Sequence, residues 1–401
     1  MAQPTIQRGT KDLGDTLTSM TIVRGVDSGF DTTVDPTKTI LIVRWRTAGV
    51  DAEIQQSYNL RRVLTDGDTI TIDRGLATSD GVAVTVEWAL YSFASGVTVQ
   101  HKSFSASASV SGTIAVTSVD TATTFLIDSG NATSAGTGER SWLEWNLAST
   151  TSLAWARGVA SGNVAGACQV VTYDDCTVQT VSVNLDSTAN LDNDVTVTSV
   201  DAAATAIFGS MKLTSGSSSE QELSARLTSA TNLRLTRSIT TAPTTLRATV
   251  YLVTFTDGTT VQHFSPAHGS GTATVNTTVT SVDAAVTMVS MACIANGLPA
   301  GRGGSAAYGR VMATAELTTT TNLQTVKGIA TTAITYDIDI ITFATGAPAE
   351  DTLVQPVGLT DVSGNPATSS GSLTSTLAGL TRLTAAVGGV QLDTVVVITK
   401  R

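Results

Sequence analysis

A Leu followed ten positions later by Arg or Lys recurs along this chain, at Leu64/Arg74, Leu147/Arg157, Leu227/Arg237 and Leu317/Lys327. Two further markers keep the same phase. Val-Thr-Ser-Val-Asp stands at Val116 to Asp120, Val197 to Asp201 and Val279 to Asp283, with Val34-Asp35 as a fainter copy. Thr-(Ile/Val)-Gln stands at Thr5 to Gln7, Thr98 to Gln100, Thr177 to Gln179 and Thr260 to Gln262. Three markers in one register require a fold made of copies of a single unit.

Cutting at the Thr-x-Gln marker divides the 401 residues into modules 1–97, 98–176, 177–259 and 260–351, with a remnant at 352–401 read as a partial module or cap. Each module is near the lower end of domain size and can hold a modest core. Within a module the apolar period is two. Leu143, Trp145 and Leu147 alternate with Glu144 and Asn146, the pattern of a strand with one buried face.

Each unit reads as about six short strands: the Thr-x-Gln strand, Val-Thr-Ser-Val-Asp, the apolar run after it, the Leu strand, the strand ending at Arg or Lys, and a last strand such as 249–255. Asp66-Gly67, Ser95-Gly96 and Asp257-Gly258 mark turns between them. The expected fold is all-β, a tandem array of small Ig-like or jelly-roll-like β-sandwich modules. With almost no linker between units, the array is expected to form an elongated rod, on the order of 120–150 Å long.

Composition narrows the function. Aromatic residues make up 5% and charged residues 14%, while β-branched Thr and Val abound, which favours strands over helices. The net charge of −10 argues against nucleic-acid binding, which needs clustered Lys and Arg. No apolar run is long enough to span a membrane, and the start carries no signal-peptide pattern, so synthesis in the cytoplasm is expected. Cys168, Cys176 and Cys293 form no CxxC pair and read as small buried thiols.

No catalytic constellation, metal site or cofactor motif emerges, and the chain is read as non-enzymatic. His101 and His263 hold equivalent places after the Gln of the repeat, and one imidazole per unit builds no metal site. Asp174-Asp175 and Asp192-Asn193-Asp194 are placed at turns and lack the spacing of a calcium loop. The aromatic residues are uneven. Trp142, Trp145 and Trp155 fall in one module, where the next has Glu222, Ala225 and Leu235. Alternation assigns Trp145 and Trp155 to packing and leaves Trp142 exposed beside Glu144 and Asn146, a candidate contact for a partner or a glycan. Leu64, Leu147, Leu227 and Leu317 are expected to be buried equivalently. Arg74, Arg157, Arg237 and Lys327 are expected to be hydrogen-bonded strand ends that pin neighbouring modules, with Asp35, Asp120, Asp201 and Asp283 as example partners.

The repeated Thr-(Ile/Val)-Gln strand, the Val-Asp-x-x-x-Thr-(Ile/Phe)-Leu-Ile stretch at 34–42 and 119–127, and the start Thr5-Ile6-Gln7-Arg8-Gly9-Thr10 resemble virion structural proteins of tailed bacteriophages. The resemblance covers most of the chain and brings no catalytic residues. It implies a fibre, a collar or tail appendage, or a capsid decoration protein, located in the virion. Its partners would be copies of itself, a trimer by family analogy, and other virion proteins. The alternative is a carbohydrate-binding or adhesive protein that meets a host-surface glycan through Trp142 and the loops near Gly297 to Gly304.

Overall fold

The computed structural model describes residues 3–48, 59–77, 82–133, 142–185, 192–213, 223–237, 246–291 and 312–344, together with the backbone of strands at 381–387 and 390–396. The described residues contain no α-helix. In the first module β1 (Thr5–Leu13), β2 (Ser19–Val23), β3 (Thr39–Thr47), β4 (Arg61–Asp66), β5 (Thr69–Asp73) and β6 (Val84–Ser92) form two antiparallel sheets, ordered β1-β6-β3 and β2-β5-β4. First strand pairs with last and second with fifth, the nested wrapping of a jelly roll.

The second module repeats this order with β7 (Val97–Ser107), β8 (Ser111–Ala115), β9 (Thr124–Thr133), β10 (Glu144–Ser149), β11 (Ser152–Ala156) and β12 (Asn163–Tyr173). So does the third, with β13 (Cys176–Leu185), β14 (Asp192–Thr196), β15 (Thr205–Leu213), β16 (Leu223–Ser229), β17 (Asn232–Arg237) and β18 (Leu246–Phe255). In the fourth the outer strands are broken. Its first is β19 (Thr260–Phe264) plus β20 (Ala267–His268), interrupted at Pro266, which has no N–H to give a ladder. β21 (Thr274–Thr278), β22 (Met288 and its neighbours, Thr287–Met291), β23 (Ala313–Thr319) and β24 (Asn322–Lys327) follow, and the sixth strand is β25 (Ile334–Thr335) plus β26 (Ile338–Thr342). These four modules form one compact unit, Met1–Thr345. The second unit, Gly346–Arg401, contains the antiparallel hairpin of β27 (Thr381–Val387) and β28 (Val390–Val396); most of the remnant expected at 352–401 lies outside the described residues.

The sequence markers are one device. Val-Thr-Ser-Val-Asp, expected as a strand, is instead the extended connection just after the second strand. Its Thr is clamped by the Gln of Thr-x-Gln. Gln100 accepts from Thr117 N–H at 2.7 Å and donates to the Thr117 carbonyl at 3.0 Å, and Gln179 with Thr198 and Gln262 with Thr280 do the same. Its Asp caps the next turn. Asp35, Asp120, Asp201 and Asp283 each accept the N–H two residues on at 2.9 Å. The Thr that opens the third strand then bonds back, Thr205 and Thr287 to the Asp201 and Asp283 carbonyls at 2.6 Å.

Burial separates the two sheets. β5 and β11 alternate between buried and half-buried, but β3, β15 and β18 are buried almost continuously. A strand with both faces covered reads as an unbroken apolar run. One face lies on the module's own second sheet; the other faces the neighbouring modules. Ile40, Phe125, Ala206 and Met288, all from third strands, share a single buried cluster with Phe93, Tyr173, Phe255 and Phe343 at the ends of the sixth strands.

Those four rings close a cycle. Centroids lie 6.2 Å apart for Phe93 and Tyr173, 5.1 Å for Tyr173 and Phe255, 6.4 Å for Phe255 and Phe343, and 5.1 Å for Phe343 and Phe93. The last contact joins the fourth module to the first. Arg8 and Arg44 of the first module add bonds to the Ala284 and Val289 carbonyls of the fourth, at 2.7 and 2.6 Å. A linear row of beads, the arrangement behind the expected rod, is therefore not what these four modules make. Their apolar outer faces are satisfied by each other rather than left along a rod.

Candidate functional site

Antiparallel wrapping sends the two kinds of connection to opposite ends of each module. The turns from second to third and fourth to fifth strand, and the module junctions, lie at the aromatic end and are short and repeated, apart from the longer connection at 24–38 in the first module. The connections from first to second, third to fourth and fifth to sixth strand lie at the other end. In length they differ from module to module, as in 48–60, 134–143, 214–222 and 292–312. Segments of them, among them 49–58, 134–141, 214–222 and 292–311, lie outside the described residues.

The repeated cations anchor this variable end. Arg74 donates from Nε to the Leu17 carbonyl at 2.8 Å and from Nη2 to those of Gly14 and Asp15 at 2.7 and 2.9 Å. Arg157 donates to the carbonyls of Ser109, Ser161 and Gly162 at 2.7, 3.1 and 3.0 Å, tying two connections together. Lys327 reaches the Gly269 and Thr332 carbonyls in the same way. Arg237 occupies the equivalent end of β17, and all four residues are buried. The Asp of Val-Thr-Ser-Val-Asp, offered as partner from the sequence, is at the opposite end of the module and busy as a cap. Loss of water on burial lowers the pKa of Arg157 and of Lys327.

The leucines of the same repeat are not equivalent. Leu64 is buried, whereas Leu147, Leu227 and Leu317 are only partly buried at the rim of their cores. Each is followed by a bulge at which the ladder shifts register, so it sits where the sandwich opens. Leu64 belongs to the module whose longer β2–β3 connection adds the fully buried Phe30 to the core.

The Trp142 surface does not exist as expected. Trp142 is 0% exposed, Glu144 is buried and Asn146 is half-buried. Alternation on β10 assumed water on one face, but that face lies on the third module. There the Glu144 carboxylate accepts from Arg247 Nε and Thr249 Oγ1, each at 2.9 Å, and faces Lys212 Nζ at 3.5 Å. Trp145 and Trp155 are core residues, with Phe104 stacked on Trp155 at 4.1 Å. The acidic pair Asp192 and Asp194 is on a strand, not a turn. Asp194 takes both Nε and Nη2 of Arg234, at 2.8 and 2.7 Å, and Asp192 takes the Thr236 hydroxyl at 2.6 Å. Among the described residues no group of three or more His, Cys, Asp or Glu is placed to hold a metal, and no helix is long and apolar enough to cross a membrane.

Sequence reasoning missed the seams between modules, where several buried polar groups meet. At the first–second seam Gln169 accepts from Leu41 N–H at 2.8 Å and donates to the Leu41 carbonyl at 2.7 Å, and His101 Nε2 lies 3.0 Å from the Thr39 carbonyl. Arg62 donates to the Asp128 carbonyl across the same seam, and burial raises the Asp128 carboxyl to about 6 against the pull of Arg62. At the second–third seam Tyr251 Oη accepts from Leu147 N–H at 3.3 Å. At the third–fourth seam Asp339 Oδ2 accepts from Ile207 N–H at 2.8 Å, and His263 bridges Asp339 and the Ala202 carbonyl. Backbones meet closely at two seams: a Cβ on Gly130, whose φ is +72°, would lie 2.2 Å from the Leu60 oxygen, and one on Gly328 would collide with the Thr47 carbonyl. Gln169, Tyr251 and Asp339 share one position in the repeat yet differ chemically, so no sequence pattern revealed them.

No protein-family model matches this sequence, and a search of curated proteins returns no relative.

Proposed function

We propose that the chain is a non-enzymatic structural component of a tailed-bacteriophage particle, a fibre, a collar or tail appendage, or a decoration protein. It docks on other virion proteins and associates with copies of itself. The observation that carries this reading is the use made of the repeated polar residues. Gln clamps, Asp caps, basic loop anchors and seam histidines all bind the chain to itself, the economy of a scaffold that holds variable connections at one end on a stiff base. The family resemblance of the Thr-x-Gln and Val-Asp-x-x-x-Thr segments supplies the phage context. Because each module finds its neighbour within the chain, association with further copies uses surfaces other than the four seams.

Immunogold electron microscopy with antibodies to the chain, on tailed particles from lysates of cells that carry its gene, tests the proposal. Gold at a fixed place on the particles is expected; particles without label and label on cell debris alone would overturn it. The carbohydrate-binding alternative no longer has Trp142 as its anchor. What favours it is the exposure of Leu17, Leu76 and Val110 at the variable end. A glycan array probed with the full chain distinguishes it, since saturable binding of one sugar class would move the function to that end.

A further inference from the structure

We propose that the seam between the third and fourth modules is a pH-responsive joint, held by an imidazolium–carboxylate clasp at neutral pH and loosened in alkaline solution when His263 gives up its proton. His263 Nδ1 lies 2.7 Å from Asp339 Oδ1, and Nε2 lies 2.9 Å from the Ala202 carbonyl of the third module. Both neighbours are acceptors and one of them is a carboxylate, an arrangement that favours a hydrogen on each ring nitrogen and a charged ring. Asp339, buried beside it, passes the link on to Ile207 N–H with its second oxygen. The path from Ala202 through His263 and Asp339 to Ile207 thus leaves the third module and returns to it, with the fourth module's ion pair in the middle.

The first–second seam is the internal control. Its His101 meets only neutral backbone carbonyls, those of Thr39 and Pro36, and the place of Asp339 is taken by Gln169, which satisfies both the N–H and the carbonyl of Leu41 without any charge. Burial lowers the His101 pKa, so its ring is neutral across the alkaline range, and the buried Arg62 of that seam, brought down to about 10, titrates only at the top of it.

The other ionisable groups around the clasp are already engaged. Asp337, on the same strand group, accepts from Ser265 Oγ and faces Arg226 at 4.0 Å. Asp201, on the turn packed against β19, caps Ala203 N–H, and Lys212 of β15 faces Glu144. Burial lowers the His263 pKa, but the charge and hydrogen bond of Asp339, with smaller contributions from the Ala202 carbonyl and the charge of Asp337, outweigh it and bring the ring from 6.5 to about 9. A folded-state pKa above the unfolded value means that the stabilisation is complete below about 6.5 and is lost as pH rises through about 9. Neutral imidazole keeps one N–H, so either the Asp339 carboxylate or the Ala202 carbonyl then loses its donor.

Two readouts on the full chain test this. Carbon-13 histidine NMR, with the signal assigned by its loss in His263→Gln, should show His263 titrating well above His101 and His268. Hydrogen exchange between pH 7.5 and 10, corrected for intrinsic rate, should show about tenfold or more loss of protection at Ile207 and β19 beyond any loss at Leu41 and β7. Asp339→Gln, which copies the Gln169 arrangement, should remove that difference, and His263→Gln should remove it where Asp339→Gln does not fold. A His263 midpoint at or below 6.5, or equal alkaline loss at the two seams in the unmodified chain, overturns the proposal.

Discussion

Arg157 shows what a single residue does in this fold: its guanidinium holds three backbone carbonyls from two connections at the end of a strand. The planar fork suits several acceptors at once, which a single ammonium matches less well. Arg157→Leu is expected to lower stability by about 1.5–3 kcal/mol, because buried carbonyls lose charge-assisted bonds, and Arg157→Lys by less, since Lys327 performs the same task in the fourth module. Urea denaturation of the two variants measures the difference. At this scale the sequence was readable where one position kept one chemistry: the recurrence of the cation, and its role as a hydrogen-bonded strand end, could be inferred. The expected pinning of neighbouring modules fails, since Arg74, Arg157 and Lys327 hold carbonyls of their own modules. These partners could not be inferred, because backbone carbonyls have no signature in a sequence, and the nearest conspicuous acids were taken in their stead.

Among the strands, the fifth of the third module gives the clearest contrast. Leu235 is 0% exposed while Leu227, on the strand paired with it, is only partly buried. Leu235→Ala is expected to cost about 2–5 kcal/mol and Leu227→Ala clearly less, again by urea denaturation. Period-two alternation identified these strands correctly, since each has one face on the core. The same rule misplaced Trp142 and Glu144, because β10 has a second covered face that no local pattern announces. The consecutive apolar run Val250 to Val253 within β18 carried that information, as such a run is the mark of a strand enclosed on both sides.

For the four-module unit as a whole, the shared cluster of Phe93, Tyr173, Phe255 and Phe343 makes each module depend on the others. Residues 177–259 expressed alone would expose to water the outer face of β15 and β18, including Phe208, Val253 and Phe255, all buried in the intact unit. That fragment is expected to aggregate or to bind a hydrophobic dye, whereas residues 1–345 should melt in one calorimetric transition with equal van't Hoff and calorimetric enthalpies. Four well-separated transitions would contradict the interdependence. The seams that create it were illegible because each uses a different residue at the common position, Gln169, Tyr251 or Asp339, so the repeat conceals them.

The contact of Phe343 with Phe93 at 5.1 Å places the end of the fourth module beside the first. A cycle has no privileged starting point. A gene opened at the turn between β12 and β13, with residue 344 joined by a short linker to residue 5, would encode the modules in the order three, four, one, two and leave every seam intact. The order in which the ribosome delivers the modules is then a matter of genetic history, and any circular permutation at a module junction should reach the same folded unit.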